Sequence, residues 1–273
     1  MCTLIVLRRI HPEFPVVIAG NRDEMTAREA TAPRLLRADP PIVGGLDVVG
    51  GGTWLGVTPS GVLAAITNQR SWHMPSPAPR SRGQVVLRVL EAASRAGPGD
   101  PLGAAKRALE AMDPSAQNSF NLLVADAKGA FVAYARREEE SLDIEDVPAG
   151  ITVLANDRIG SKYFPKQTRA KTLIEPFAKE PWEALRSHLA RTLSDHVSPP
   201  PESIEPPPPG ARFSRELAAR LQAICIHTEG YGTRSATIAA LRPEGVAHYL
   251  FADGPPCQAT FEDFTPCLAP TRR

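Results

Sequence analysis

Apolar residues in this chain fall in short runs separated by turn residues. Thr3 to Leu7 form one β-branched and aliphatic run, His11-Pro12-Glu13 breaks it, and Val16 to Ala19 resume it before Gly20. That pattern predicts an opening β-hairpin. A second hairpin is predicted from Thr53 to Val57, a turn at Pro59-Ser60-Gly61, and Val62 to Thr67 ending on Asn68. Helical spacing follows. Val85, Val86, Val89, Leu90 and Ala93 share one face behind Ser81-Arg82-Gly83-Gln84, which has the form of a capping box. Leu102, Ala105 and Leu109 do the same behind Asp100-Pro101. Strands are expected over 120–125 and 131–135, followed by the charge run 136–140 as a solvated face, and again over 151–155 before Asn156. Helices are expected over 166–174, 182–193 and 215–221, and strands over 223–226, 236–241 and 246–251.

Ser198 to Gly210 contain seven prolines and predict an extended surface loop. Residues 34–39 read as a polar loop. The glycines at 44, 45, 50, 51 and 52 precede a strand rather than a helix, which excludes a phosphate-binding loop. Two readings of them stay open: close backbone approach at a sheet edge, or a flexible rim beside a pocket. Strand pairs, helices and strands do not alternate as in a doubly wound sheet. An α+β layered fold in one domain over 1–273 is expected.

Composition narrows the partners. The 31 basic and 30 acidic side chains leave a formal charge of +1, so neither nucleic acid nor an anionic membrane is selected electrostatically. Leu4 to Leu7 is too short for a membrane span or a leader core, and Arg8-Arg9 follows at once. A cytoplasmic protein without integral membrane association is expected. Cys2, Cys225, Cys257 and Cys267 show no CxxC spacing, so neither a metal site nor a disulfide framework is expected.

Candidate chemistry gathers at the start of the chain. Were Met1 removed, Cys2 would carry a thiol and an α-amine on one residue, with ordinary pKa values of about 8.5 and 7.7 to 8.0. A nucleophile with its own base is a known route to covalent catalysis. The first hairpin would bring Asn21-Arg22-Asp23-Glu24, at the end of its second strand, back to the level of Cys2. Arg22 or Arg234 would favour a thiolate and Asp23 an ammonium, giving a resting ion pair. The bland readings remain beside these: a structural salt bridge for Arg22 and Asp23, strand-end turns for Asn68 and Asn156, and a core-edge histidine for His227.

These motifs, in order, resemble a known family. Met1-Cys2, Asn21-Arg22-Asp23-Glu24, Gly51-Gly52-Thr53-Trp54-Leu55-Gly56, Leu63-Ala64-Ala65-Ile66-Thr67-Asn68 and Tyr231-Gly232-Thr233-Arg234-Ser235 look like the NRDE family, which includes the transport and Golgi organisation proteins of eukaryotes. The resemblance implies an N-terminal nucleophile hydrolase fold, a four-layer αββα sandwich of two antiparallel sheets. More distantly it is similar to choloylglycine hydrolases and penicillin V acylases, which cleave amides with an N-terminal cysteine. That similarity implies Cys2 as nucleophile, Asp23 orienting its amine, Asn68 at an oxyanion hole and Asn156 as a second polar group nearby. Arg22 and Arg234 join the catalytic set, and Asn21, Trp54 and His227 are expected in the substrate pocket. Those acylases have arginine immediately before the asparagine of the motif; here that position is Gly20.

The implied activity is hydrolysis of a small-molecule amide or thioester, with no cofactor required. The family resemblance also implies links to haem trafficking and acyl-lipid metabolism. The alternative is therefore a non-catalytic protein holding haem or a lipid-like ligand in the same pocket.

Overall fold

The computed structural model describes residues 2–73 and 80–269; Met1 lies outside them. Fourteen strands in two antiparallel sheets and five α-helices are assigned among the described residues. The first sheet contains β1 (Thr3–Arg8), β2 (Val16–Met25), β10 (Gly150–Leu154), β12 (Tyr231–Arg242), β13 (Gly245–Ala252) and β14 (Glu262–Asp263), in the order β10-β1-β2-β12-β13-β14. The short β11 (His227–Thr228) pairs with the start of β12. The second sheet runs in chain order through β3 (Ala30–Ala38), β4 (Pro41–Asp47), β5 (Leu55–Val57), β6 (Leu63–Asn68), β7 (Phe120–Ala125), β8 (Ala130–Arg136) and β9 (Ser141–Asp146).

Side-chain alternation explains the stacking. Leu4 and Val6 of β1, with Val16 and Ile18 of β2, enter a core shared with Leu63, Ala65, Leu123 and Val132 of the second sheet. Their neighbours Ile5, Leu7, Val17 and Ala19 turn to the other face. There they meet Ala170 and Ile174 of α3 (Pro165–Ile174) and Leu185, Leu189 and Leu193 of α4 (Trp182–Leu193). On the far side of the second sheet, Ala64, Leu122 and Val124 pack under α1 (Gly83–Arg95) and α2 (Pro101–Glu110). The central strands of both sheets are thus buried on both faces, which is why they read as unbroken apolar runs rather than as alternation. Truncating a residue such as Leu4 to Ala in such a core typically costs about 2–5 kcal/mol.

Several elements differ from the sequence expectation. Residues 34–39 are not a polar loop; most belong to β3, an edge strand whose arginines face water and whose Pro33 is tolerated there because an edge needs fewer ladder donors. β2 does not end at Gly20 but continues through Asn21 to Met25, because β12 covers its other edge as far as Tyr231. Residues 223–226 precede β11 rather than forming a strand, and 231–234 lie in β12 rather than in a loop. The capping box at α1 is not made: Gln84 donates to the Gly51 carbonyl instead, and α1 starts without a side-chain cap. Asp100 does cap α2, accepting from the Gly103 N–H at 3.0 Å. The proline-rich stretch is anchored through Ile204, buried beside Ala218 and Ala219 of α5 (Arg215–Arg220), and through Glu205, which pairs with Arg70.

The glycine passage meets α1 by close backbone approach. A Cβ on Gly52 would come within 2.3 Å of the Gly83 carbonyl carbon. That contact seats the start of α1 on the loop after β4. Among the described residues, no helix is long and apolar enough to cross a membrane.

Candidate active site

Register brings the polar residues together. β1 pairs with β2 so that Thr3 faces Asn21, and with β10 so that Leu4 faces Leu154. Continuing both registers by one and two residues sets Cys2 level with Arg22 on one side and Asn156 on the other. On the next strand over, Thr233 of β12 faces Asp23. A short irregularity between Thr233 and Ser235 follows at once. The two sheets are tied at this end by Thr67, whose hydroxyl donates to the Ala155 carbonyl at 2.7 Å, and by Asn121, whose amide donates to the same carbonyl at 3.2 Å.

A cavity of about 320 Å³ opens here. Cys2, Arg22, Asp23, Trp54 and Asn68 of the expected set line it, together with Glu24, Arg28, Asp47, Arg80 and Arg82. Cys2 is buried, 6% exposed, so its thiol meets the cavity through a narrow face. Burial is the dominant influence on that thiol and pushes it above its ordinary pKa, against the backbone N–H of Asp23 that favours the thiolate. Burial thus acts against the thiolate that the neighbouring positive charges would favour.

Asp23 is itself buried, and burial pushes its carboxyl up. Among the interactions that oppose that are the charge of the chain's terminal amine, the charge of Lys166 and a 2.6 Å hydrogen bond donated by the Thr233 hydroxyl to Oδ1. Thr233 Oγ1 also accepts from the Ile226 N–H at 2.9 Å, which fixes the rotamer. Lys166, 1% exposed on α3, is pulled down by burial and up by Asp23 and Cys2. A carboxylate, an amine and a thiol thus share one dry compartment, where each sets the charge of the others.

The cavity rim is charged. Arg28 clasps Asp47 with Nε at 3.2 and 3.1 Å from its two oxygens and Nη2 at 2.7 Å. Burial alone would raise Asp47, yet the Arg28 bonds and the Gly50 N–H hold it below the usual carboxylate range. Arg82 is half-buried; burial lowers its pKa, while Glu24 and Cys2 act to hold its charge, and its Nη1 donates to the Ser119 carbonyl at 3.3 Å.

Four expected site residues stand elsewhere. Asn156 is buried just behind the cavity; its Nδ2 donates to the Asn68 carbonyl, and its Oδ1 has no donor among the described residues. Asn21 is buried and straps α4 to the sheet, donating to the carbonyls of Leu193 and Ile224 at 2.8 and 2.9 Å. Those two carbonyls take its amide on the α4 side of the sheet, away from the cavity. Arg234 is exposed at the β12 irregularity and does not line the cavity. His227 is in a separate cluster with Cys225, Cys257 and His196.

The residues that sequence reading missed are Lys166, Thr233 and the arginines 28, 80 and 82. Lys166 did leave a signal: it lies at a spacing of four from the buried Ala170 and Ile174 on α3, so its charge falls on an apolar stripe.

Residues 1–251 match the profile of Transport and Golgi organisation 2. The chain belongs to that family. Curated relatives agree: it is 29% identical over 251 residues to the Transport and Golgi organization protein 2 homolog of Bos taurus, covering 88% of this chain and 86% of that one. The human homolog is likewise 29% identical over 255 residues. Among solved structures, this member of the family is similar to two variants of the conjugated bile acid hydrolase from Clostridium perfringens, with TM-scores of 0.57 and 0.55 at 11% identity. In both, the likeness spans 97% of this chain and 93% of the other. At that identity the likeness fixes the fold, which is the two-sheet N-terminal nucleophile hydrolase sandwich.

Proposed function

We propose that this family member is an N-terminal cysteine hydrolase that opens a C–N amide bond or a thioester through an acyl-enzyme. The supporting observation is the placement of Cys2 on the wall of the charged cavity, with buried Asp23 on the adjoining strand. With Met1 removed, the α-amine of Cys2 takes the thiol proton as sulfur attacks the acyl carbon. The C–N or C–S bond then breaks, and the amine returns that proton to the leaving group. Water attacks the acyl-enzyme next, giving up its proton to the same amine, and the thiol re-forms on release.

Asp23 holds the amine in this scheme, and Thr233 holds Asp23. The unpartnered Oδ1 of Asn156, level with Cys2, is suited to accept from the ammonium formed. Asn68 and Arg82 on the lining are suited to an oxyanion, where aimed donors are worth several kcal/mol. The conjugated bile acid hydrolase of like fold supports the amide reading as an analogy of fold alone.

The pocket fits haem poorly. Among the described residues its lining has no imidazole, and its large apolar side chains are Trp54 and Ile66. The same polarity disfavours a long acyl chain. Screening amides and thioesters with anionic groups tests the hydrolase reading. Cys2→Ala should lower turnover at least about 10³-fold, in keeping with loss of a nucleophile, while preserving circular dichroism. Turnover unchanged in Cys2→Ala would overturn the assignment.

A further inference from the structure

Away from the Cys2 cavity, three separate segments deliver two thiols and two imidazoles to one place. His196 follows α4, Cys225 and His227 bracket the approach to β11, and Cys257 sits in the loop after β13. One ligand atom from each lies within 4.8 Å of all the others. Cys225 Sγ is 3.8 Å from Cys257 Sγ and 3.7 Å from His227 Nε2, and His227 Nε2 is 3.2 Å from Cys257 Sγ.

Those separations can be compared with a coordination sphere. Metal–sulfur bonds of about 2.3 Å and metal–nitrogen bonds of about 2.0–2.1 Å at tetrahedral angles imply edges of about 3.8 Å between sulfurs and about 3.6 Å between sulfur and nitrogen. The sulfur pair is at that edge length, and the two sulfur–nitrogen distances bracket theirs. We propose that His196, Cys225, His227 and Cys257 form a tetrahedral two-histidine, two-cysteine site for a divalent cation of the zinc class.

The backbone prepares the arrangement. The Cys225 N–H donates to the Asp195 carbonyl at 2.8 Å, and His196 Nδ1 lies 3.2 Å from the Cys225 carbonyl oxygen. With its Nδ1 proton on that carbonyl, His196 keeps the Nε2 lone pair for a metal, the usual outer-sphere device for orienting an imidazole ligand. Arg169 fixes Asp195 through both carboxylate oxygens. On the opposite wall, the Gln258 and Ala259 N–H groups both donate to the Pro255 carbonyl, closing a tight turn around Cys257.

The ligand set selects the ion by chemistry. Two thiolates with two neutral imidazoles suit zinc and disfavour magnesium or calcium, which take oxygen. Binding displaces one proton from each thiol and leaves no redox change. Four protein ligands close the sphere, the arrangement of structural sites. Such an ion would clip the loop after β13 and the segment after α4 onto β11. The same hairpin carries Thr233, whose hydroxyl reaches Asp23, so the clip would also steady one wall of the thiol cavity.

The decisive experiment uses tag-free, full-length protein, reduced and stripped with a chelator, then titrated with zinc against a chromophoric competitor and with cobalt as a spectroscopic probe. One equivalent should bind, and cobalt should show thiolate charge transfer with the intense ligand-field bands of a tetrahedral ion. Cys257→Ser and His227→Ala, at exposed positions, should each weaken binding more than about 100-fold, since even outer-sphere losses reach 10- to 100-fold. Cys267→Ser, whose thiol is outside the cluster, should bind like the parent. Absence of a stoichiometric site in the reduced protein, or one unaffected by the Cys257 and His227 substitutions, would overturn the proposal. So would an intact mass showing Cys225 joined to Cys257 with no metal uptake after reduction.

Discussion

Two cysteine environments in this chain differ in the groups that surround the sulfur. Cys2 is buried among a carboxylate, a lysine and arginines, so its reactivity is governed by desolvation and charge. Cys225 and Cys257 lie 3.8 Å apart beside two imidazoles, a set of soft donors. The first setting suits a nucleophile. The second suits a cation. Thr233 stands between them, bonded to the Ile226 backbone on one side and to Asp23 on the other. Residue type alone therefore does not assign a cysteine; its neighbours do.

That contrast predicts separable losses. Cys2→Ala should remove turnover yet leave zinc binding intact, whereas Cys257→Ser should do the reverse, with any residual activity loss confined to reduced thermal stability. Loss of both properties in either variant would merge the two regions. The next largest effect is expected at Lys166, whose ammonium and the Asp23 carboxylate act on each other in a compartment closed to water. Removing one charge of such a pair costs about 3–5 kcal/mol. Lys166→Met should show this in a denaturant midpoint, and Asp23→Asn in the same chain should recover part of it. Equal stability of parent and Lys166→Met would show that the pair is not electrostatically coupled.

Thr233→Val probes the link itself. It removes a 2.6 Å donor to a buried carboxylate and an acceptor for Ile226, and should cost about 1.5–3 kcal/mol, as for hydrogen bonds to charged groups. A hydroxyl that only fills space would give a nearly neutral substitution. Serine at 233 should rescue most of the loss.

The smallest effect is in pH. Burial raises the Cys2 thiol above its unfolded value of about 8.5, so the folded state holds that proton more tightly. The stabilisation is present in full below the unfolded pKa and declines as pH climbs through the alkaline range toward the folded one. Cys2→Ser should flatten that alkaline limb of the stability curve. An unchanged limb would assign it to other groups.

Much of the fold was legible because apolar runs of four to six residues and helical stripes mark elements whatever their partners. Leu4, Val6, Ile18 and Leu63 declare a core from spacing alone. The edge strand β3 was not legible, since half its side chains face water and read as a loop. Asp23 and Asn68 were found from motif and strand-end position. Asn21 was misplaced because its amide is taken by the Leu193 and Ile224 carbonyls, partners far away in the chain that no local pattern announces. Lys166 was legible only as a charge on the apolar stripe of α3, while the four-donor cluster depends on segments far apart in the chain, so no local spacing could announce it.

The most direct test of the central claim is the intact mass of the purified protein, followed by peptide mapping after brief exposure to iodoacetamide. A cysteine that acts as N-terminal nucleophile predicts that Met1 is absent and that Cys2 is alkylated, with loss of turnover in proportion. Retention of Met1 in active protein would contradict it, because the α-amine required as base would then belong to another residue.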